Sequence, residues 1–353
     1  MNVLVLSQGI YEGTFYCRWL VPERILTEKY GKDLKITMAN DPRQFVFTDY
    51  DAVILYRWFH PQFHKFVKGM KAKSPSKPFW IYETDDLLLD IPVYNYAKGM
   101  ISSRTIAMTM ELCDGFIFST QTLADQCMRR LFEARSKPYT IVENRLDKDI
   151  WGEPQFVERN PGDPLRIGYE GTSNRFKIRG MAGKDDFTHL EKVFERHSSK
   201  SKDRFQWVFF GGIPHHLENS DIVEYWPWTQ YYHDFVDRMK ALKFQLGISP
   251  LVNNDFNKSK SNIKRLDYYA AGAAGLYSDL PVYRETETPE KLLLKNSEIT
   301  WQNIIEDVEA SEEFRRELWE LEHDYFTKNP DKIWLQDSVD ERYQCLMNLL
   351  GNI

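Results

Sequence analysis

The chain reads as an α/β protein built from two doubly wound, Rossmann-like domains facing a central cleft, and three observations carry that prediction. Short apolar runs of strand length alternate with amphipathic stretches of helical period almost from the first residue. The alternation lapses once, over 152–164, where Pro154, Pro161, Gly162 and Pro164 gather, and then it restarts. The length, 353 residues, exceeds one ordinary domain and suits two of about 150 to 180 residues, each able to bury its own core. The expected division is 1–155 for the first domain and 156–325 for the second, with 326–353 as a terminal helical segment.

Composition narrows the class. Hydrophobic residues make up 42% and charged residues 28%, the balance of a soluble globular protein. No apolar run approaches the ~18 residues that span a bilayer, and Met1-Asn2 leads straight into a strand-like run. A cytoplasmic protein is therefore expected. Cys17, Cys113, Cys127 and Cys345 show no CxxC pair and no metal-ligand spacing, so they are expected as buried thiols without zinc. The net charge of −6 is uneven: from Ile305 onward thirteen Asp or Glu face five Lys or Arg, a net of −8, which leaves +2 for residues 1–304. A polyanionic partner is thus not excluded by the acidic total.

In chain order, 3–6 is a buried-strand run, Gly9 and Gly13 form a loop, and 16–29 is amphipathic. The GxGxxG spacing of a dinucleotide site is absent from that loop. Further strands are expected at 34–38, 52–56 and 79–82, with a helix over 62–72. The last of these strands ends in Glu83, Asp85 and Asp86, where open α/β sheets place their ligands. Such a trio serves sugar hydroxyls, a base for an acceptor hydroxyl, or a divalent cation; it serves equally as a capped loop. A helix over 105–110, a strand at 116–118, a helix opened by Ser119 or Thr120 and a strand at 139–142 complete the first half. In the second half, strands are expected at 165–169, 205–210, 246–252 and 274–278, and helices at 187–196 and 231–243. Residues 225–228 read as an aromatic-rich surface, and 301–305, 312–325 and 334–350 as acidic or amphipathic helices.

The most informative stretch is 248–272. After its strand, Ser261 or Asn262 can cap a helix in which Ile263, Leu266, Tyr269 and Ala270 recur at helical spacing. Gly272 then stands where a left-handed terminal residue is wanted. The first turn offers unpaired N–H groups and the positive end of the helix dipole, with Lys258, Lys260 and Lys264 around it, an arrangement suited to phosphate. Asp267, one turn on, is placed to accept hydrogen bonds from vicinal hydroxyls. The same residues also describe a solvated basic helix start.

Phe256-Asn257, Lys260-Ser261-Asn262-Ile263-Lys264, Asp267, Tyr268, Ala270 and Gly272 together resemble the donor-binding motif of GT-B glycosyltransferases, above all the family 4-like (group 1) enzymes of surface-polysaccharide biosynthesis. In that group Asp267 matches the second of two acidic residues and binds the nucleotide ribose; Ser259 stands at the first, and Ala273 where proline is usual. Other segments resemble the family too: Gly13 to Arg18, the acidic loop from Tyr82 to Pro92, Asn144 with Leu146-Asp147, and Gly171-Thr172, with Arg175 where histidine is frequent. The likeness runs over roughly residues 1–340. It implies a donor site of Gly171, Thr172, Lys260, Ser261, Asn262, Ile263, Lys264 and Asp267, and an acceptor site of Tyr16, Arg18, Glu83, Asp85 and Asp86. Catalysis would rest on Asp85, Asp86, Arg175 and Lys260, and the final helix would cross back to the first domain.

The activity so implied is transfer of a hexosyl or pentosyl group from a nucleoside diphosphate sugar, possibly UDP-linked, to an acceptor hydroxyl, with retention and without an obligatory metal. The acceptor is a glycan or lipid-linked sugar; the alternatives are a hydroxymethylated base in viral DNA and a non-catalytic sugar-nucleotide-binding protein.

Overall fold

The computed structural model describes residues 1–9, 13–60, 63–75, 77–177, 183–201 and 203–351. Two parallel six-stranded sheets share the chain. The first holds β1 (Asn2–Ser7), β2 (Lys35–Ala39), β3 (Ala52–Tyr56), β4 (Phe79–Thr84), β5 (Gly115–Phe118) and β6 (Tyr139–Ile141), in the order β2-β1-β3-β4-β5-β6. The second holds β7 (Leu165–Gly171), β8 (Phe205–Gly211), β9 (Val223–Pro227), β10 (Leu246–Ser249), β11 (Ala274–Ser278) and β12 (Leu293–Leu294), in the order β12-β11-β10-β7-β8-β9. Helices cover both faces, so the central strands are buried throughout: every residue of β3, β10 and β11 is inaccessible to water. That double burial is why they read as unbroken apolar runs.

Chain order reverses between β1 and β3 in one sheet and between β7 and β10 in the other. Ligands of open α/β sheets bind beyond the carboxyl ends of the strands at such points. The segments leaving β1, β3, β7 and β10 are therefore the ones that matter for function.

Several expectations need correction. The stretch 225–228 is largely strand: β9 is an edge strand whose partial exposure hid its pattern, with Tyr225 at 49% exposure. The helix expected over 187–196 begins at Glu191, because Asp185 accepts from the N–H of Phe187 and the hydroxyl of Thr188 and holds a turn first. The strand expected to 252 ends at Ser249, just before Pro250. The expected helix over 16–29 opens with a π turn, Tyr16–Leu20, before Val21–Tyr30. Pro22 brings no N–H to the carbonyl four residues back, and that Arg18 carbonyl accepts from Arg342 instead.

Gly272 ties the linker to the second sheet. Its φ is +83°, and a Cβ there would sit 1.8 Å from the carbonyl oxygen of Gln155, while Val157, two residues on, donates to the Gly272 carbonyl. Only glycine meets both demands. After the helices Glu298–Ala310 and Glu312–Lys328 the chain returns to the first sheet: Leu146 exchanges backbone bonds with Ile333 and Leu335, and the helix Leu335–Leu350 adds Val339, Leu346 and Leu349 to the core of Val3, Val5 and Ile54. No helix among the described residues is long and apolar enough to cross a membrane.

Candidate active site

The segment after β10 builds one wall. Asn254 caps the short helix Asp255–Lys258 by accepting from the N–H of Asn257 at 2.8 Å. Ser259 folds its hydroxyl back onto the Asp255 carbonyl (2.7 Å) and is fully buried, so this residue serves the turn. The next helix, Ile263–Ala270, has no side-chain cap; Ser261 accepts instead from the Asn144 amide of the first domain, at 2.7 Å. First-turn N–H groups without a side-chain acceptor are what an incoming anion requires.

Around that helix start the lysines are held by carboxylates. Lys264 donates to the Glu170 carboxylate (2.6 Å) and carbonyl, directly beneath Gly171, where a Cβ would lie 3.1 Å from Nζ. Lys260 lies 4.0 Å from the Phe256 ring centroid and reaches across to Asp86 of the first domain, 3.3 Å from Oδ1. Burial, reinforced by Arg175, pushes the Lys260 ammonium down to about 8. Lys258 lies 3.9 Å from Asp255 with a third of its side chain exposed. Asp267 is buried with Oδ1 unpartnered, and burial together with Glu170 holds it well above the ordinary carboxylate range. Thr172 is exposed on the loop after β7; Asn262 stands at the N-cap of the helix that Ile263 opens.

The opposite wall comes from β3 and β4. Arg57, which follows β3 at a φ of +45°, lies 3.0 Å from Asp86 and 3.5 Å from Asp85. Asp85 also accepts from the Tyr56 hydroxyl at 3.2 Å. Burial works against a charge on Asp86, yet Lys260, Arg57 and Arg175 hold it below the usual carboxylate range.

Two expected acceptor residues are misplaced for that role. Arg18 and Glu83 are both 0% exposed and face one another: Arg18 Nε donates to Glu83 at 2.8 Å and Nη2 at 2.5 Å, and the Trp19 indole donates to the second carboxylate oxygen at 2.7 Å. They form the interior beneath the cleft. Tyr16 remains at the seam, stacked on Tyr232 of the second domain with ring centroids 4.3 Å apart.

Sequence reasoning passed over a cluster at the centre. Asp186 accepts at Oδ1 from Asn257 (2.5 Å), the Val252 N–H (3.1 Å) and the Tyr94 hydroxyl of the first domain (3.2 Å). Its Oδ2 and the Arg175 Nη1, 3.7 Å apart, have no hydrogen-bond partner. Asp186 follows an irregular segment with no motif, so no sequence pattern marks it. Arg57, by contrast, stands directly after a legible strand. The cleft thus gathers Arg57, Arg175, Lys260 and Lys264 with Asp85, Asp86, Asp186 and Glu170, in contacts that cross between the two domains.

No protein-family model and no curated protein matches the chain. Solved structures do. Anabaena HepE (Alr3699) in complex with UDP and glucose matches with a TM-score of 0.60, over 98% of this chain and 99% of its own, at 10% identity. A glycosyltransferase from Rickettsia africae matches with 0.59, over 100% and 99%, at 11% identity. An alpha-glucosyltransferase in complex with UDP and a 13-mer DNA containing an HMU base also gives 0.59, over 98% and 99%, at 10% identity. The chain has the GT-B fold. In GT-B terms, the segments after β7 and β10 are the wall of one Rossmann-like domain, and Arg57, Asp85 and Asp86 that of the other.

Proposed function

We propose that the chain is a glycosyltransferase that moves a sugar from a nucleoside diphosphate sugar, UDP-linked, to an acceptor hydroxyl. The observation that carries this reading is the uncapped helix Ile263–Ala270 at a sheet reversal point, flanked by Lys260 and Lys264. Structures of the same fold were solved with UDP, UDP-glucose and UDP with glucose. The diphosphate would take the place of Asp86 on Lys260, with Gly171 and the helix N–H groups around it. As the bond from the anomeric carbon to the phosphate oxygen breaks, its electron pair stays on the diphosphate, where the helix dipole, Lys260, Lys264 and Arg175 stabilise it. The acceptor oxygen bonds to that carbon on the same face, giving retention, and its proton passes to the departing phosphate oxygen. Asp85 and Asp86 would hold acceptor hydroxyls from the other wall. A cytoplasmic location goes with this reading, and all four cysteines are free thiols.

Release of UDP from UDP-glucose or UDP-N-acetylglucosamine by the purified protein, with acceptor present, is the direct test. UDP binding without turnover across donors and acceptors would replace the enzyme with a sugar-nucleotide-binding protein. Asp267→Asn is expected to weaken UDP by about 0.5–1.5 kcal/mol, the net worth of a typical hydrogen bond, while leaving inorganic pyrophosphate binding unchanged by calorimetry.

Lys260 also gives the site a pH signature. Free, it loses its proton as pH rises through about 8; a bound diphosphate favours the ammonium and raises that value. Donor affinity should therefore fall above pH 8, and calorimetry at pH 8.5 in buffers of different ionisation enthalpy should register proton uptake.

We propose a glycan or lipid-linked sugar as acceptor, for a reason of charge. Of the basic residues that would rim the cleft for duplex DNA, Arg130 is held by Asp90 and Asp255 and Lys177 by Glu191, while Arg179 lies outside the described residues. Arg129 and Lys184 remain exposed. DNA as acceptor keeps one observation in its favour: residues 52–82 contain six Lys or Arg and no Asp or Glu, although Arg57, Lys71 and Lys77 are paired with Asp86, Asp114 and Asp51. Four to six phosphate contacts would give a slope of log affinity against log salt of about −3.5 to −5. Anisotropy titrations with hydroxymethylated and unmodified duplexes are expected to show no such slope.

A further inference from the structure

The helices Phe63–Lys73, Ser103–Leu112 and Gln121–Arg130 follow β3, β4 and β5, and each joins neighbouring parallel strands in the same direction across the first sheet. Right-handed crossovers therefore set all three on one face, with Val67, Ile106 and Leu123 turned into a single core beneath them. Their outward stripes face water. The first carries Lys65, Lys68 and Lys73, the second Arg104 and Met108, the third Arg129. Glu111, one turn beyond Met108, accepts from the N–H groups of Phe132, Glu133 and Ala134, and so brings Phe132 to the end of the second stripe. Arg135 lies 5.3 Å from the Phe132 ring centroid.

Charge on this face is one-sided. Lys65, Lys68, Lys73, Arg104, Arg129 and Arg135 are exposed, and none makes an ion pair among the described residues. Two exposed acids on these segments oppose the six: Asp125, which accepts from the Gln121 amide, and Glu133. Large apolar side chains stand among the cations, with Phe132 at 76%, Met100 at 73% and Met108 at 40% exposure. A phosphate backbone has no use for them, whereas a bilayer takes cations at its headgroups and apolar groups just beneath. The face also borders the cleft. Ser103, which opens the second helix, donates to the Leu88 carbonyl in the loop that leaves Asp85 and Asp86, and Met100 lies between the two in the chain.

We propose that this face of the first domain docks on the surface of an anionic lipid bilayer. The chain lies on the membrane, with the acceptor wall of the cleft opening beside the headgroups. A further consequence rests on the glycosyltransferase reading: the acceptor is then the lipid-linked sugar.

Co-sedimentation of the full chain with phosphatidylcholine vesicles, with and without phosphatidylglycerol, tests the contact in the absence of any donor. Its failure leaves the glycosyltransferase reading standing, and failure of transfer on every acceptor leaves vesicle binding standing. The chain should bind the vesicles that contain phosphatidylglycerol, release them at high salt, and leave pure phosphatidylcholine in solution. Replacing three cations together, Lys65→Gln, Lys68→Gln and Arg104→Gln, should lower the partition coefficient about 10²-fold. Met108→Ser with Phe132→Ser should lower it about tenfold, through lost insertion. Both variants change exposed side chains and should keep the parent's melting temperature and UDP affinity. No binding by the parent, or equal binding to both kinds of vesicle, overturns the proposal without any variant. Unaltered partitioning in either variant overturns it as well. Displacement of the parent from the anionic vesicles by a short DNA duplex at equal negative charge would assign the face to nucleic acid and overturn it too.

Discussion

Glu83→Leu is expected to lower the stability of the fold by about 3–5 kcal/mol, the cost of stranding a buried charge whose partner has been removed. Arg18 would be left in the interior with its Nε and Nη2 donors unanswered, and the Trp19 indole would lose its acceptor. Urea unfolding with a linear extrapolation measures the loss directly. The double variant Arg18→Met with Glu83→Leu should recover most of it, since replacing both members of such a pair with apolar groups is often neutral. Donor binding by whatever folded Glu83→Leu protein remains should be unchanged. Full stability with lost transfer would return Glu83 to the acceptor site.

That pair also shows where the sequence misleads. Arg18 at a helix start and Glu83 at a strand end each look like a residue presented to a ligand, and nothing in a linear pattern says that two charges 65 positions apart cancel one another. The same limit hid Asp186, whose partners Tyr94, Asn257 and Arg175 converge only once both sheets are in place. What was legible depends on local physics. The run 52–56 is buried on both faces and matches β3 residue for residue. Gly272 announces a left-handed turn, and its φ is +83°. The helix after Asn262 follows from apolar spacing alone; of the two expected caps Asn262 holds the position, without a side-chain bond, while Ser261 is engaged by Asn144 across the cleft, a contact set by the meeting of two domains. Edge strand β9 was lost for the opposite reason, as a half-exposed strand carries too weak an apolar signal.

Lys260→Met is expected to lower turnover by about 10²–10³, the usual consequence of deleting one donor that stabilises charge developing in the transition state. The fold should tolerate it, since methionine fills the same volume against the Phe256 ring and relieves a lysine that burial already disfavours as a cation. Asp86 sharpens the test. In the structure its carboxylate occupies the ammonium that a diphosphate would need, 3.3 Å away, and Arg57 holds it there from the other side at 3.0 Å. Donor binding must therefore exchange one anion for another on Lys260. Asp86→Asn removes the competitor and should tighten UDP binding while transfer falls, a split that simple damage to the site does not produce. Calorimetry with UDP and a turnover assay on the same two variants read both quantities. Weakened UDP binding in Asp86→Asn would mean that Asp86 supports the donor rather than standing in for it, and UDP affinity unaltered in both variants would remove Lys260 from the phosphate site.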